Sequence, residues 1–244
     1  MDVRTAGGDG PRVVWIHGLG EAARCFDRIV AHPQLAACAH QLVDLPGYGR
    51  SPWGAVDSID ATIDRLCRWL RGGPPAIVVG HSLGGVIATL CGERAPGPVR
   101  AVVDVEGNGS LGDCTFSSQV ATYREDDFAS HGRDALWASL DASDPALRGY
   151  AAAIGFCDPR QMWRHAVDLV ELSRGEQLAA RRAALAVPLT FIAGAPRGIC
   201  ARSRALLFEA GVPIVDVGPA GHWPFIDAPD AFADAVAAAI ADKA

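Results

Sequence analysis

The chain is poor in positive charge and almost without lysine: its only one is Lys243, so the other 21 of its 22 cationic side chains are arginine. With alanine abundant as well, we read this as coding bias before chemistry. Against 28 Asp and Glu, the formal charge is −6, which leaves no basic face for a phosphate backbone and counts against nucleic acid as a partner. No stretch approaches the roughly 20 apolar residues of a membrane span, and Met1 to Gly10 is polar and Gly-rich with no apolar signal core. The seven cysteines (Cys25, Cys38, Cys67, Cys91, Cys114, Cys157, Cys200) form no Cys-x-x-Cys pair, and no histidine stands at metal-ligand spacing from them. Odd in number and scattered, they suit a reducing compartment, so the expectation is a cytoplasmic protein with no metal and no cofactor. Internal repeats and low-complexity linkers are missing too.

What is present is ordinary soluble material. At 244 residues, half hydrophobic and a fifth charged, the chain has room for one large domain with an insertion and little room for a second. Short apolar runs alternate with amphipathic segments. Arg12 to Ile16, Gln41 to Leu45, Ala76 to Val79, Val99 to Val105, Leu189 to Ala193 and Pro213 to Val217 read as strands. Helices are expected over about Ala22 to Val30, Ser58 to Leu70 with Asp57 or Ser58 as cap, Ser203 to Glu209, and from Pro229 through Ile240. This alternation implies an α/β fold: a mostly parallel sheet covered by helices on both faces, with its ligand site beyond the carboxyl ends of the strands.

The most informative stretch is Pro75 to Ala88. A buried strand meets Gly80-His81-Ser82-Leu83-Gly84, and an apolar-periodic segment (Leu83, Val86, Ile87, Leu90) follows at helical spacing. Gly-x-Ser-x-Gly is a short pattern that arises by chance in many chains; strand before and helix after give it meaning. Such a turn strains the serine backbone and needs glycines where side chains would strike strand and helix. The Ser82 hydroxyl is thereby held clear of the sheet, and the Leu83 N–H, in the first helical turn, points toward the same space as an oxyanion donor.

Between residues 110 and 184 the rhythm changes. No convincing strand occurs, and Phe116, Tyr123, Phe128, Trp137, Tyr150, Phe156 and Trp163 are interleaved with acids and small residues. Helices are expected near Arg133 to Leu140 and Arg160 to Leu172. We expect a helical lid over 110–184, inserted in a core formed by 1–109 and 185–244.

Four motifs stand in order after successive strands: His17-Gly18-Leu19-Gly20, Asp44-Leu45-Pro46-Gly47-Tyr48-Gly49-Arg50-Ser51, the Ser82 turn, and Gly221-His222-Trp223-Pro224-Phe225. In this register the chain resembles the α/β-hydrolase superfamily over all but the lid and about the first ten residues. The resemblance places the catalytic histidine in the loop after the last strand, at His222, gives His17 and His81 structural roles, and makes the Leu19 N–H, with Gly20 beside it, the second oxyanion donor. Chemistry agrees about the histidine: a serine hydroxyl is a weak nucleophile at its own pKa, and an imidazole titrating near neutrality is an efficient base. His32, His40, His131 and His165 have no such setting.

The third triad member departs from the usual pattern. Most relatives carry an acid after the strand that is here Leu189 to Ala193, yet Gly194-Ala195-Pro196-Arg197-Gly198-Ile199-Cys200 has no carboxylate. Some members, haloalkane dehalogenases among them, carry it one strand earlier, where this chain has Glu106; Asp113 and Asp104 come next. Dehalogenase chemistry is disfavoured, because those enzymes attack with aspartate. Ser82 points to acyl transfer. The leading expectation is a serine hydrolase of a small carboxylic ester, thioester or related acyl substrate through Ser82, His222 and Glu106. The alternatives are the same triad used for elimination, lyase cleavage or acyl transfer, or a small-molecule receptor with little turnover. The sequence leaves the oligomeric state open.

Overall fold

Val13–Ile16 and Ala76–Val79 contain no polar residue, and strands of that composition need cover on both faces. The protein, described by a computed structural model over residues 1–241, provides that cover; Lys243 lies outside the described residues. Among the described residues the strands are β1 (Asp2–Gly7), β2 (Arg12–Ile16), β3 (Ala39–Asp44), β4 (Ala76–His81), β5 (Val99–Val105), β6 (Leu189–Pro196) and β7 (Ile214–Ala220). They form one sheet in the order β1-β3-β2-β4-β5-β6-β7. Only β1 runs antiparallel, pairing Asp2 with Asp44 through Gly7 with Ala39; the other neighbours are parallel. The strand order turns back beside β2 and β4, and an open α/β sheet places its crevice at the carboxyl ends around such a point.

One element was not expected. The Gly-rich start of the chain carries no strand pattern, yet Asp2–Gly7 is β1. It is an edge strand, paired on one side and nowhere fully buried, so it carries neither an apolar run nor a clean alternation for the sequence to display.

The helices follow in chain order. The expected helix over Ala22 to Val30 divides into a 3₁₀ turn at Ala23–Phe26 and one α turn, α1 (Asp27–Val30). Next, α2 (Ile59–Leu70) starts at Ser58, whose Oγ accepts from the Ala61 N–H at 3.1 Å; the other candidate cap, Asp57, pairs with Arg65 at 2.8 Å. Then α3 (Leu83–Arg94) is buried on nearly all sides from Leu83 to Gly92, which its Gly and Ala residues allow.

From β5 to β6 the chain is helical, with α4 (Thr115–Ala121), α5 (Glu125–Asp127), a π-type turn at Phe128–Gly132, α6 (Arg133–Ser139), α7 (Pro145–Ile154), α8 (Pro159–Arg174) and α9 (Leu178–Ala183). Pro159 opens α8, with Asp158 as its cap, and the helix buries Met162, His165, Ala166 and Leu169. A bridge between Tyr48 and Cys157 ties this segment to the loop after β3. The remaining helices are α10 (Ala201–Glu209), α11 (Pro224–Asp227) and α12 (Pro229–Ala241). No helix among the described residues is long and apolar enough to cross a membrane.

Candidate active site

Ser82 joins β4 to α3 with φ 54° and ψ −118°, a backbone state that costs about 1–3 kcal/mol outside glycine. Its surroundings enforce it: the Ser82 N–H donates to Val105 O at 2.8 Å, and Ser82 O accepts from the Gly85 N–H at 2.9 Å. The flanking glycines have no substitute. A Cβ on Gly80 would collide with Gly84 O, and one on Gly84 would collide with Ile16 O.

His222 lies in the loop between β7 and α11. Its Nδ1 is 3.1 Å from Glu106 Oε2, which leaves Nε2 as the ring nitrogen available to the cavity it shares with Ser82. Glu106 sits just beyond β5 with φ 56° and is fully buried. Its other oxygen, Oε1, accepts from the Gly194 N–H at 2.7 Å. The turn after β6, the one without an acid of its own, thus wraps around the carboxylate of Glu106. A Cβ on Gly198 in that turn would collide with Glu106 Oε1 and Gly194 O.

The other two carboxylates considered are engaged elsewhere. Asp104 forms a fully buried ion pair with Arg182 at 2.7 Å and accepts from Thr89 Oγ1 at 2.9 Å and the Gly107 N–H at 3.0 Å. Asp113 closes a capping box with Ser110, accepts from the Cys200 N–H at 2.8 Å and from Ser203 Oγ, and so fastens the chain after β5 to the start of α10. Neither is hydrogen-bonded to His222.

Leu83 is the first residue of α3, so no carbonyl lies one turn behind its amide. Leu19 stands in the loop after β2, and among the described residues its amide has no partner. That loop is shaped by a residue the sequence reading did not single out. Glu21, 3% exposed, accepts from the Gly18 N–H at 2.6 Å, from Trp223 Nε1 at 2.6 Å and shares a proton contact of 2.9 Å with His81 Nδ1. The far nitrogen of His81 donates to His222 O at 2.8 Å. Burial alone would raise the Glu21 carboxyl, but the charge of His81 and the donors around it outweigh burial and hold it at about 2. Burial opposes the charge on His81 as well, and Glu21 overcomes it, raising the imidazole. A buried His81–Glu21 pair therefore supports both the Leu19 loop and the backbone of His222. The one sequence signal for Glu21 was an acid four residues after His17 in an otherwise apolar stretch.

His17 is buried and joins two loops: its Nε2 accepts from the Leu45 N–H at 3.1 Å while Nδ1 contacts Gly18 O at 2.8 Å. Desolvation lowers its pKa, as that neutral bonding pattern requires. Ser82 and His222 open onto a cavity of about 30 Å³ whose wall includes Leu19, Asn108, Phe116, Tyr150 and Leu169. Of the aromatics between β5 and β6, Phe116 and Tyr150 reach this wall. Phe128 is buried in the core, and Trp137 and Phe156, each 57% exposed, lie on the surface. Among the described residues no group of three His, Cys, Asp or Glu is placed to hold a metal ion.

A serine at a strained strand–helix turn, a histidine from the last loop and a parallel sheet with one antiparallel edge define the α/β-hydrolase class. The chain belongs to the alpha/beta hydrolase family, whose family model matches residues 13–235. It is 35% identical over 150 residues to lipase LipV of Mycobacterium tuberculosis, a match covering 60% of this chain and 51% of that protein. To the pimeloyl-[acyl-carrier protein] methyl ester esterase of Chromobacterium violaceum it is 41% identical over 95 residues, 39% of this chain and 36% of the other. The chain thus spans about half, or less, of these curated relatives. The Neisseria meningitidis serogroup A esterase of the same name is matched more fully, at 26% identity over 91% of this chain and 74% of the other. Among solved structures, the enol-lactonase of Burkholderia xenovorans LB400 superposes with a TM-score of 0.79 at 18% identity, covering 96% of this chain and 94% of that one. At that identity the likeness speaks for the fold alone.

Proposed function

We propose that the protein is a serine hydrolase of small carboxylic esters or related acyl compounds, acting through Ser82, His222 and Glu106. The observation that carries this is the 3.1 Å contact of His222 Nδ1 with a buried Glu106 carboxylate, beside a cavity that holds Ser82. Glu106 keeps the proton on Nδ1, so Nε2 is free to take the Ser82 proton as Oγ attacks the acyl carbon. The developing oxyanion lies between the Leu19 and Leu83 amides, each contributing roughly 3 kcal/mol to the transition state. His222 then protonates the leaving alcohol, and water, activated by the same imidazole, releases the acid from the acyl-enzyme. The segment 110–184 serves as a lid, since Phe116 and Tyr150 wall the cavity.

Relatives named as lipases and as methyl ester esterases support the ester as substrate class. The absence of an acid in the turn after β6 is the feature that favours a receptor; Glu106, accepting from the Gly194 N–H of β6, supports turnover instead. The test is a panel of p-nitrophenyl esters and acyl-thioesters on wild type and Ser82→Ala. Turnover lost in the variant supports the reading; turnover that survives refutes it.

A further inference from the structure

Among the described residues four buried side-chain atoms have no hydrogen-bond partner: Asn108 Oδ1, Tyr150 OH, Ser173 Oγ and Arg182 Nη1. Buried polar atoms are nearly always paired, so each such atom needs a reason. Two of the four, Asn108 and Tyr150, line the same small cavity as Ser82. They are 2% and 4% exposed.

Both residues are held by their neighbours. The Asn108 backbone carbonyl accepts from Arg182 Nη2 at 3.1 Å, and its side-chain Nδ2 donates to Cys114 Sγ at 3.5 Å, which leaves Oδ1 as the free atom. The Tyr150 ring is held between Phe116 and Trp223, with centroids at 5.0 and 5.8 Å. Its hydroxyl rests over Gly20, where a Cβ would stand 2.9 Å from the oxygen. Burial pushes this phenol well above its ordinary pKa, so it remains a neutral O–H.

We propose that the acyl group taken by this site is short and carries a hydroxyl close to the ester carbonyl, recognised by Asn108 Oδ1 and Tyr150 OH. A hydroxyl donates to the first and accepts from the second; an alkyl group of the same size leaves both unpaired. The cavity volume of about 30 Å³, room for about two or three water molecules, restricts this chain to a few atoms. A larger cavity of about 370 Å³, lined by Glu106 and Arg197, shares Phe116, His222 and Trp223 with the first.

The inference rests on the hydrolytic reading above, and its test separates the two. Methyl 3-hydroxybutanoate is compared with methyl 3-methylbutanoate, and methyl lactate with methyl 2-methylpropanoate, so that a methyl replaces the hydroxyl. In at least one pair kcat/KM is expected to favour the hydroxy ester by about 100-fold, since a site with buried polar groups rejects a ligand that cannot pair them. Tyr150→Phe and Asn108→Ser should each bring that ratio toward one. The same pairs titrated calorimetrically into Ser82→Ala give the preference without turnover, with the hydroxy ester bound at least about tenfold tighter. Equal binding and equal kcat/KM in both pairs, or a preference untouched by both variants, would overturn the inference. Hydrolysis that survives in Ser82→Ala would instead overturn the catalytic reading, while the binding preference is still decided by the calorimetry.

Discussion

Replacing Glu106 by glutamine changes one atom and sets up a conflict whose outcome can be worked out. The carboxylate faces two donors, the Gly194 N–H at 2.7 Å and His222 Nδ1 at 3.1 Å. A carboxylate accepts from both; an amide has one oxygen and one NH2 group. Gly194 belongs to the backbone of β6 and cannot turn, so the amide oxygen goes to it and the NH2 faces His222. The imidazole must then carry its proton on Nε2, the nitrogen required to accept from Ser82. A triad held in that tautomer loses about 10,000-fold in kcat. That equals roughly 5.5 kcal/mol at 1.36 kcal/mol per decade. The side chain keeps its shape, so the circular-dichroism spectrum and cooperative unfolding should be retained. Steady-state hydrolysis of a p-nitrophenyl ester, read beside the melting curve, is the assay. Activity within tenfold of wild type in a folded Glu106→Gln variant, above all with Asp113→Asn inactive, would refute the reasoning.

Other outcomes follow from the same geometry. Gly198→Ala brings a Cβ against Glu106 Oε1 and Gly194 O, so turnover should fall at least tenfold with a stability loss of about 1–3 kcal/mol, measured by urea unfolding. Ser82→Gly should abolish turnover yet raise stability by about 1 kcal/mol, because glycine adopts φ 54° without strain. An unfolding midpoint below wild type would contradict it. Glu21→Gln leaves His81 without its partner in a buried place and should cost about 3–5 kcal/mol. The Glu21 carboxyl is held at about 2 against an ordinary 4.5, so its stabilisation is complete above 4.5 and is lost as pH falls toward 2. His81 has a raised pKa, so its share is complete below its ordinary 6.5 and is lost as pH rises through the folded value. The gap in melting temperature between wild type and Glu21→Gln should therefore be widest between about pH 4.5 and 6.5; a gap that grows below pH 4.5 contradicts the pairing.

What could be read from the sequence was what neighbours in sequence determine. The turn around Ser82 is legible because its glycines answer to contacts made within a few residues: Gly80 against Gly84, and Gly84 against the end of β2. The strands β2 to β7 and the helices α2, α8 and α12 carry their own apolar periods, and their positions follow to within a few residues. The sequence is less informative where a residue's partner is distant. Glu106 meets a ring 116 positions later, and its place emerged from the empty turn after β6 together with a resemblance, not from anything local. Glu21 and Trp223 lie 202 positions apart, and nothing near Glu21 signals a buried ion pair with His81. Asn108 and Tyr150 resemble any loop amide and helix tyrosine until packing places both beside Ser82. The edge strand β1 escaped because pairing on one side needs no apolar pattern.

The central claim is that Ser82 is activated as a nucleophile by His222, and covalent trapping tests it most directly. Intact-mass spectrometry after a fluorophosphonate treatment should find a single phosphonyl group, mapped to the peptide holding Ser82, absent in Ser82→Ala and formed at least a thousandfold more slowly in His222→Ala. A folded wild-type protein that hydrolyses esters yet stays unlabelled, or is labelled at another residue, would contradict the account.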